Sequence, residues 1–377
     1  MVNKIINKIQ KEIYSIRKRA DNVVEEYLES PVYTIKNSKG SVKNYQYFIY
    51  PYKNFTESNI ENEAFIAKYM ASLIPKDVDY LVTFEADGIG IGKLISYFLN
   101  KPLIICKTFH YNQKVIPFNQ KTGYFERKMY CPAIVKGKKV AIIDCMVSTG
   151  GTIKGLIKEL NKTKTKVAGV YVVVNKTNYH KEANPFKNIN YQYLFDVEVV
   201  SKKVKTSVSD TFRETFWEEI NIKLMEITNK ISKQSNKERN NLEVGAIVMD
   251  SDNFEILGWG KKSKYSHAEA NAIKMAKKKY NLDGRTLTLY TTLEPCIKRS
   301  LGNKPSGTEL ILKEPSIKWI VIKEKDRFDK NNFNKGLKKL QVDGKYVILL
   351  KAHPSRPLNY NDLLTRREHF SDIPKSQ

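Results

Sequence analysis

The apolar positions change their period twice along the chain. Near the start, Ile5, Ile6, Ile9, Ile13 and Ile16 recur at three- and four-residue intervals, the spacing of one helical face. Residues 1 to about 75 read as helix, irregular segment, helix. From 79 onward, buried-strand runs alternate with helical stretches. "DYLVTFEADG" is a strand ending in a turn, "IGKLISYFLN" the helix after it, and "KPLIICKTF" a second strand. "HYNQKVIPFNQKTGYFERKMYCPAIVKGKK" is long and nearly without period, and such a loop in a compact domain is usually functional, often a lid. "VAIIDCMVSTGGT" is a third strand running into a Gly-rich turn, "IKGLIKELNK" the next helix, and "KVAGVYVVVNK" a fourth strand. Strands alternating with helices predict an α/β fold with a parallel sheet. "DTFRETFWEEINIKLMEITNKI" closes this half as a helix.

"SKQSNKERNN" is polar, lacks apolar anchors and reads as a linker. After it, "LEVGAIVMDSDNFEILGWG" predicts two strands around an Asp/Asn turn. "SHAEANAIKMAKKKY" predicts a helix, and "TLTLYTTLEPC", "IKWIVIKEK" and "YVILLKA" further strands. The expected organisation is a domain over 1–230, a linker over 231–240, and a smaller α/β domain over 241–377 that ends in a tail. There is no internal repeat.

A chain of 377 residues exceeds one ordinary core and suits two domains. No apolar run reaches membrane-spanning length, and the N-terminal helix lacks a signal-peptide core, so the expected location is the cytoplasm. Cys106, Cys131, Cys145 and Cys296 are scattered, which fits a reducing compartment without a disulfide framework. The net charge of +25 has two readings. One is attraction to polyanions, nucleic acid or phosphorylated substrates. The other is a lysine-rich, solvated surface; no Arg-rich stripe or aromatic-basic repeat accompanies the charge.

The most informative stretch is "VAIIDCMVSTGGT", Val140 to Thr152. Its apolar run carries Asp144 to the carboxyl end of a strand, where open α/β sheets bind ligands. The turn Ser148-Thr149-Gly150-Gly151-Thr152 can aim several backbone N–H groups at one anion. The positive end of the next helix and the hydroxyls add to that. Asp144 is then placed to hold sugar hydroxyls beside the phosphate. A Rossmann-like turn binding another nucleotide would share these features. The whole string resembles the phosphoribosyl-pyrophosphate (PRPP) signature of type I phosphoribosyltransferases. "YLVTFEADGIGIGKLISYFLNKPLIICKTFHYN" is similar to the pyrophosphate-loop region of adenine phosphoribosyltransferases and their relatives. The resemblance spans roughly 60–185.

It implies a glycosyltransferase that uses PRPP with magnesium and a nucleobase, in a family that is usually dimeric. By resemblance, Ser148, Thr149, Gly150, Gly151 and Thr152 cradle the 5′-phosphate, and Asp144 binds the ribose hydroxyls at the reacting centre. Glu85, Ala86, Asp87 and Gly88 form the pyrophosphate loop, Lys107 faces the pyrophosphate, and 108–130 form a flexible hood. Two positions depart from the family. Its second adjacent acid is here Cys145, and Asp87 stands where adenine-type members often have Arg.

In the second half, His267 and Glu269 have the H-x-E spacing, and "TLYTTLEPC" brings Cys296 to the start of the next element. The order hairpin, H-x-E helix, strand, Pro-Cys, strand resembles the cytidine-deaminase superfamily over roughly 241–350. "TLEPC" is most similar to the pyrimidine deaminases of riboflavin biosynthesis. The implied fold is a three-layer α/β/α deaminase-like domain. In that superfamily a His and two Cys bind zinc, while the Glu moves the proton. Here Ser306 occupies the place of the second thiolate and Arg299 the alternative place. A hydroxyl is a poor zinc ligand beside a thiolate. Three readings stay open: a pseudoenzyme kept for binding or dimerisation, zinc held by His267, Cys296 and a substitute such as His353 or His369, or a shared core without a site.

Two functions follow. One is a phosphoribosyltransferase of nucleotide metabolism fused to a deaminase-like domain whose zinc set is incomplete. The other is a regulatory or nucleic-acid-associated protein, in a defence or modification setting, that uses both folds for binding.

Overall fold

The computed structural model describes residues 2–36, 39–50, 57, 59–180, 182, 184–234, 243–263, 265–297, 305–325 and 334–350. Contacts divide the chain into two units. One runs from Ile16 to Trp217; the other holds the residues up to Ser15 and those from Glu218 onward. The chain begins with α1 (Val2–Leu28), whose buried Ile6, Ile13, Ala20 and Tyr27 repeat along one face. The division falls inside this helix.

The Ile16–Trp217 unit continues with β1 (Val32–Lys36), β2 (Asn44–Phe48), α2 (Ile60–Leu73), β3 (Tyr80–Phe84), α3 (Gly88–Leu99) and β4 (Leu103–Cys106). Then come β5 (Val115–Lys121), β6 (Glu126–Pro132), β7 (Lys139–Val147), α4 (Gly151–Leu160), β8 (Lys166–Lys176), β9 (Tyr191–Val200) and β10 (Lys203–Val208). α5 (Asp210–Ser232) begins here and ends in the other unit. The main sheet has the order β10-β9-β8-β7-β3-β4. Every pair is parallel except β10–β9. Parallel neighbours require crossovers; α3 supplies the one from β3 to β4 and α4 the one from β7 to β8. Val140, Ala141, Ile142 and Ile143 of β7 are all fully buried, because a central parallel strand is covered on both faces. Val140 and Ile142 share a core with Ile153, Leu156 and Leu160 of α4 and with Phe118 and Met129.

β5 and β6 form a separate antiparallel hairpin, paired from Val115↔Pro132 to Lys121↔Glu126. This corrects the expected aperiodic loop. Ile116, Phe118 and Gln120 point inward, alternating with exposed Pro117, Asn119 and Lys121. The period of two is present but masked, because one inward residue is polar and one outward residue is proline. β1 and β2 form a second hairpin, from Val32↔Phe48 to Lys36↔Asn44, within the stretch expected to be irregular.

The other unit contains β11 (Gly245–Asp250), β12 (Ile256–Lys261), α6 (Ala268–Lys279), β13 (Leu287–Leu293), α7 (Gly307–Leu312), β14 (Ile317–Glu324), α8 (Lys335–Val342) and β15 (Tyr346–Leu349). Its sheet order is β12-β11-β13-β14-β15, with parallel pairing only at β13–β14 and β14–β15. Ala272 of α6, Ile311 of α7 and Leu340 of α8 pack with Ala246, Leu289 and Ile320 on one face. On the other face, Tyr290 donates to Asn221 of α5 at 2.7 Å, and Lys323 to Asn229 at 3.2 Å. The result is three layers, helix, sheet, helix. Gln10 of α1 joins this unit by donating to the Phe254 carbonyl at 2.9 Å and accepting from Ile256 N–H at 2.7 Å.

By contacts the division falls between Trp217 and Glu218 rather than in the expected linker, because the second half of α5, expected to close the first domain, packs with the later residues. Of the expected linker, Ile231 and Ser232 end α5, and 235–240 lie outside the described residues. So do Arg299 and the tail, with His353 and His369. No helix among the described residues is long and apolar enough to cross a membrane.

Candidate active site

β3 and β7 are parallel neighbours, paired from Tyr80↔Val140 to Val82↔Ile142, so the turns that follow them emerge side by side. The turn after β3 holds Glu85, Ala86, Asp87 and Gly88, with a cis Glu85–Ala86 peptide. Thr108 donates to Glu85 Oε1 from its N–H at 2.7 Å and its hydroxyl at 2.6 Å. Thr83 Oγ1 donates to the Gly88 carbonyl at 3.1 Å. A side-chain carbon on Gly88 would lie 3.0 Å from Asp144 Oδ1, so this turn and Asp144 meet. Asp87 and Asp144 both act electrostatically on Tyr50 and Cys145, which places the two carboxylates around one region.

After β7 the chain turns through Ser148 and Thr149 into α4. Gly150 has φ +72°, a left-handed conformation that favours glycine. A side chain on Gly151 would collide with the Lys121 carbonyl of β5. The two glycines thus have separate reasons, one conformational and one steric. The N-cap of α4 is Gly150, which has no side chain to offer. The first N–H groups of α4 and the dipole face the turn, the usual arrangement for an anion. Thr149 Oγ1 accepts from Gly151 N–H at 3.4 Å. Tyr45 donates to Ser148 Oγ at 3.0 Å, and Gln120 Nε2 to Thr152 Oγ1 at 3.2 Å. The structure therefore brings together Asp144, the 85–88 turn and the 148–152 loop.

Cys145, in place of a second acid, is buried and lies 2.7 Å from the Tyr50 hydroxyl. Burial pushes its thiol up, and the adjacent Asp144 carboxylate adds to this. A carboxylate here would be enclosed and close to Asp144, which is costly without a cation.

Lys107 continues β4 and pairs through its backbone with Tyr130. It lines a cavity of about 250 Å³ with Phe109, His110, Tyr111 and Tyr130. The residue that grips the Glu85 turn is its neighbour, Thr108.

Several residues near the loop carry no local signal in the sequence. Lys176 ends β8 fully buried, with its ammonium donating to the Gln46 carbonyl. It sits 4.2 Å from the Tyr45 ring centroid, 4.9 Å from Tyr179 and 5.4 Å from Phe48. Burial pushes its pKa down to about 7. A strand-ending lysine is ordinarily read as solvated; the aromatic residues that enclose this one come from distant segments.

In the other unit, α6 starts at His267, its N-cap, so His267 and Glu269 share the first turn. Glu269 is buried, which raises its pKa, and Thr291 of β13 donates to it at 3.2 Å. Cys296 Sγ lies 3.9 Å from His267 Nε2 and accepts from Gly307 N–H at 3.5 Å. Burial raises the Cys296 thiol. Ser306 lies directly before Gly307, at the place where a third ligand belongs. Its hydroxyl accepts from Glu309 N–H at 3.2 Å, while Glu309 accepts from Ser306 N–H at 2.8 Å. This capping box on α7 commits the serine to the helix. Structural and catalytic zinc sites take at least three N, S or carboxylate ligands. Among the described residues no His, Cys, Asp or Glu joins His267 and Cys296 to make such a set.

Residues 52–203 match the family described as phosphoribosyl transferase domain. Residues 218–301 match the cytidine and deoxycytidylate deaminase zinc-binding region. Over 164 residues the chain is 32% identical to a hypoxanthine/guanine phosphoribosyltransferase of Methanothermococcus okinawensis, covering 42% of this chain and 88% of that one. A solved diaminohydroxyphosphoribosylaminopyrimidine deaminase/5-amino-6-(5-phosphoribosylamino)uracil reductase from Thermotoga maritima is 31% identical, over 35% of this chain and 37% of that chain, with a TM-score of 0.31. An adenine phosphoribosyltransferase from Rhodothermus marinus is 13% identical, over 47% and 97% of the two chains, with a TM-score of 0.38.

Proposed function

We propose, since this chain belongs to the phosphoribosyltransferase family through its first half, that it transfers the phosphoribosyl group of PRPP to a purine base. The observation that carries this reading is the meeting of three parts at the carboxyl ends of β3 and β7. They are the 148–152 loop at the start of α4, Asp144, and the 85–88 turn. The relatives named for hypoxanthine and guanine favour a 6-oxopurine over adenine.

In this reading the loop N–H groups and the Ser148 and Thr152 hydroxyls hold the 5′-phosphate. Asp144 accepts from the ribose hydroxyls and faces the positive charge that develops on the ring as the base nitrogen attacks and pyrophosphate leaves. The 85–88 turn positions the leaving group, and the β5–β6 hairpin shields the centre from water. Asp87 and Asp144 offer the hard oxygen ligands that suit magnesium, which would neutralise the leaving diphosphate. The deaminase-like unit performs no zinc chemistry and serves as a binding or dimerisation module.

Pyrophosphate release from PRPP with a panel of bases tests the transfer. Turnover with hypoxanthine or guanine is expected. Saturable PRPP binding without turnover on any base would sink it and favour the second reading, a regulatory or nucleic-acid-associated binding protein. That reading draws on Cys145 and Ser306, which replace one expected residue in each site, and on the +25 charge. Its mark would be salt-dependent retention of nucleic acid.

A further inference from the structure

We propose that Tyr45 and Gln120 are positioning residues for the 5′-phosphate of PRPP, each filling an acceptor site on a loop hydroxyl so that its proton points at the phosphate. The inference rests on the transferase reading and deepens it. A serine or threonine hydroxyl has one proton to give and lone pairs to receive. If its proton is spent on the protein, it cannot serve an anion.

At one end of the loop, Tyr45 Oη lies 3.0 Å from Ser148 Oγ. It donates to that oxygen, and burial raises the phenol, which keeps the proton in place. The ring cannot swing away. It stacks on Tyr179 at 4.9 Å, meets Tyr124 at 5.1 Å, and lies against Gly123 in the β5–β6 turn. Val42 N–H donates to the Gly123 carbonyl at 2.9 Å, and Ser41 N–H to Thr122 at 3.1 Å, tying the two hairpins together.

At the other end, Gln120 lies between Arg127 and Thr152. Arg127 Nε can only donate, and it donates to Gln120 Oε1 at 2.5 Å. The amide nitrogen must then face Thr152, and it donates to Thr152 Oγ1 at 3.2 Å. Both hydroxyls are therefore supplied with a donor by residues outside the loop. Both keep their own proton for a ligand.

The test is equilibrium binding of PRPP, ribose 5-phosphate and inorganic pyrophosphate to the full chain, with PRPP kinetics. Tyr45→Phe keeps the ring and removes the donor. It should weaken PRPP and ribose 5-phosphate about 3- to 10-fold, the range of one neutral hydrogen bond. Pyrophosphate binding should not change, and KM for PRPP should rise at constant kcat. Gln120→Glu keeps size and the Arg127 partner but takes the Thr152 proton, so its loss should exceed that of Gln120→Met. Equal weakening of pyrophosphate, no effect of Tyr45→Phe, or Gln120→Glu milder than Gln120→Met would overturn the inference. If the wild type binds no PRPP, the transferase reading itself falls. If it binds PRPP and the variants match it, only the positioning role falls.

Discussion

Lys176 gives the clearest measurable consequence of this fold. Replacing it with methionine keeps the stem among Tyr45, Phe48 and Tyr179 and removes the ionisable group. Burial lowers the folded-state pKa from 10.5 to about 7. Between those values the unfolded chain holds a proton that the folded chain has released. Raising the pH therefore favours folding, by about 1.4 kcal/mol per pH unit for one group. From pH 7.5 to 9.5 the wild type should gain about 2–3 kcal/mol relative to Lys176→Met. Below pH 7 both states are protonated and the full penalty is present. The ring faces pull the other way, holding the ammonium by about 0.5–2 kcal/mol. They move the onset of the gain to higher pH, so the onset reads the strength of the cage. Urea unfolding across this range, with amide exchange in β8 identifying the relevant transition, provides the assay. A wild-type-minus-variant difference that stays flat from pH 7 to 10 would refute the argument.

Three further outcomes are expected. The purified full chain should carry well under one zinc per molecule, and Ser306→Cys should raise that content; stoichiometric zinc in the wild type, retained in Cys296→Ala, would show an unrecognised ligand set. Asp144→Asn should weaken PRPP binding about 10-fold or more, the scale of a charged hydrogen bond, while leaving the melting temperature nearly unchanged. Gly151→Ala should force β5 away from α4, lowering stability by about 1–3 kcal/mol together with PRPP affinity, and unaltered thermal unfolding would contradict the close approach to Lys121.

Four strands of the main sheet, β3, β4, β7 and β8, were legible as continuous apolar runs such as Val140–Ile143, whereas β9, interrupted by Asp196 and Glu198, was not. β5 was not, because Gln120 points inward and Pro117 outward. Within the site, the legible residues are those contiguous in sequence. Asp144 and Ser148–Thr152 lie on one strand–turn–helix, and His267 and Glu269 on one helical turn. Cys296 was paired with His267 through the order of elements, and their Sγ and Nε2 lie 3.9 Å apart. Tyr45 and Gln120 reach the loop from other hairpins, and Lys176 meets Tyr45 from β8, through pairings that no local period encodes. Lys107 was assigned to the pyrophosphate by resemblance, whereas the bond from its neighbour Thr108 to the Glu85 carboxylate had no signal in the sequence.

The membership of α1 in two units bears on how the chain is made. Gln10 is bonded to Phe254 and Ile256, and Asn3 accepts from Trp259 at 3.1 Å. A ribosome adding about 5–20 residues per second needs roughly 10–40 seconds more to reach Glu218 after passing Ser15. For that interval the segment up to Ser15 is without the layer it will join. The unit translated later is closed by residues translated earlier, so a fragment begun at 241 would lack part of its own core.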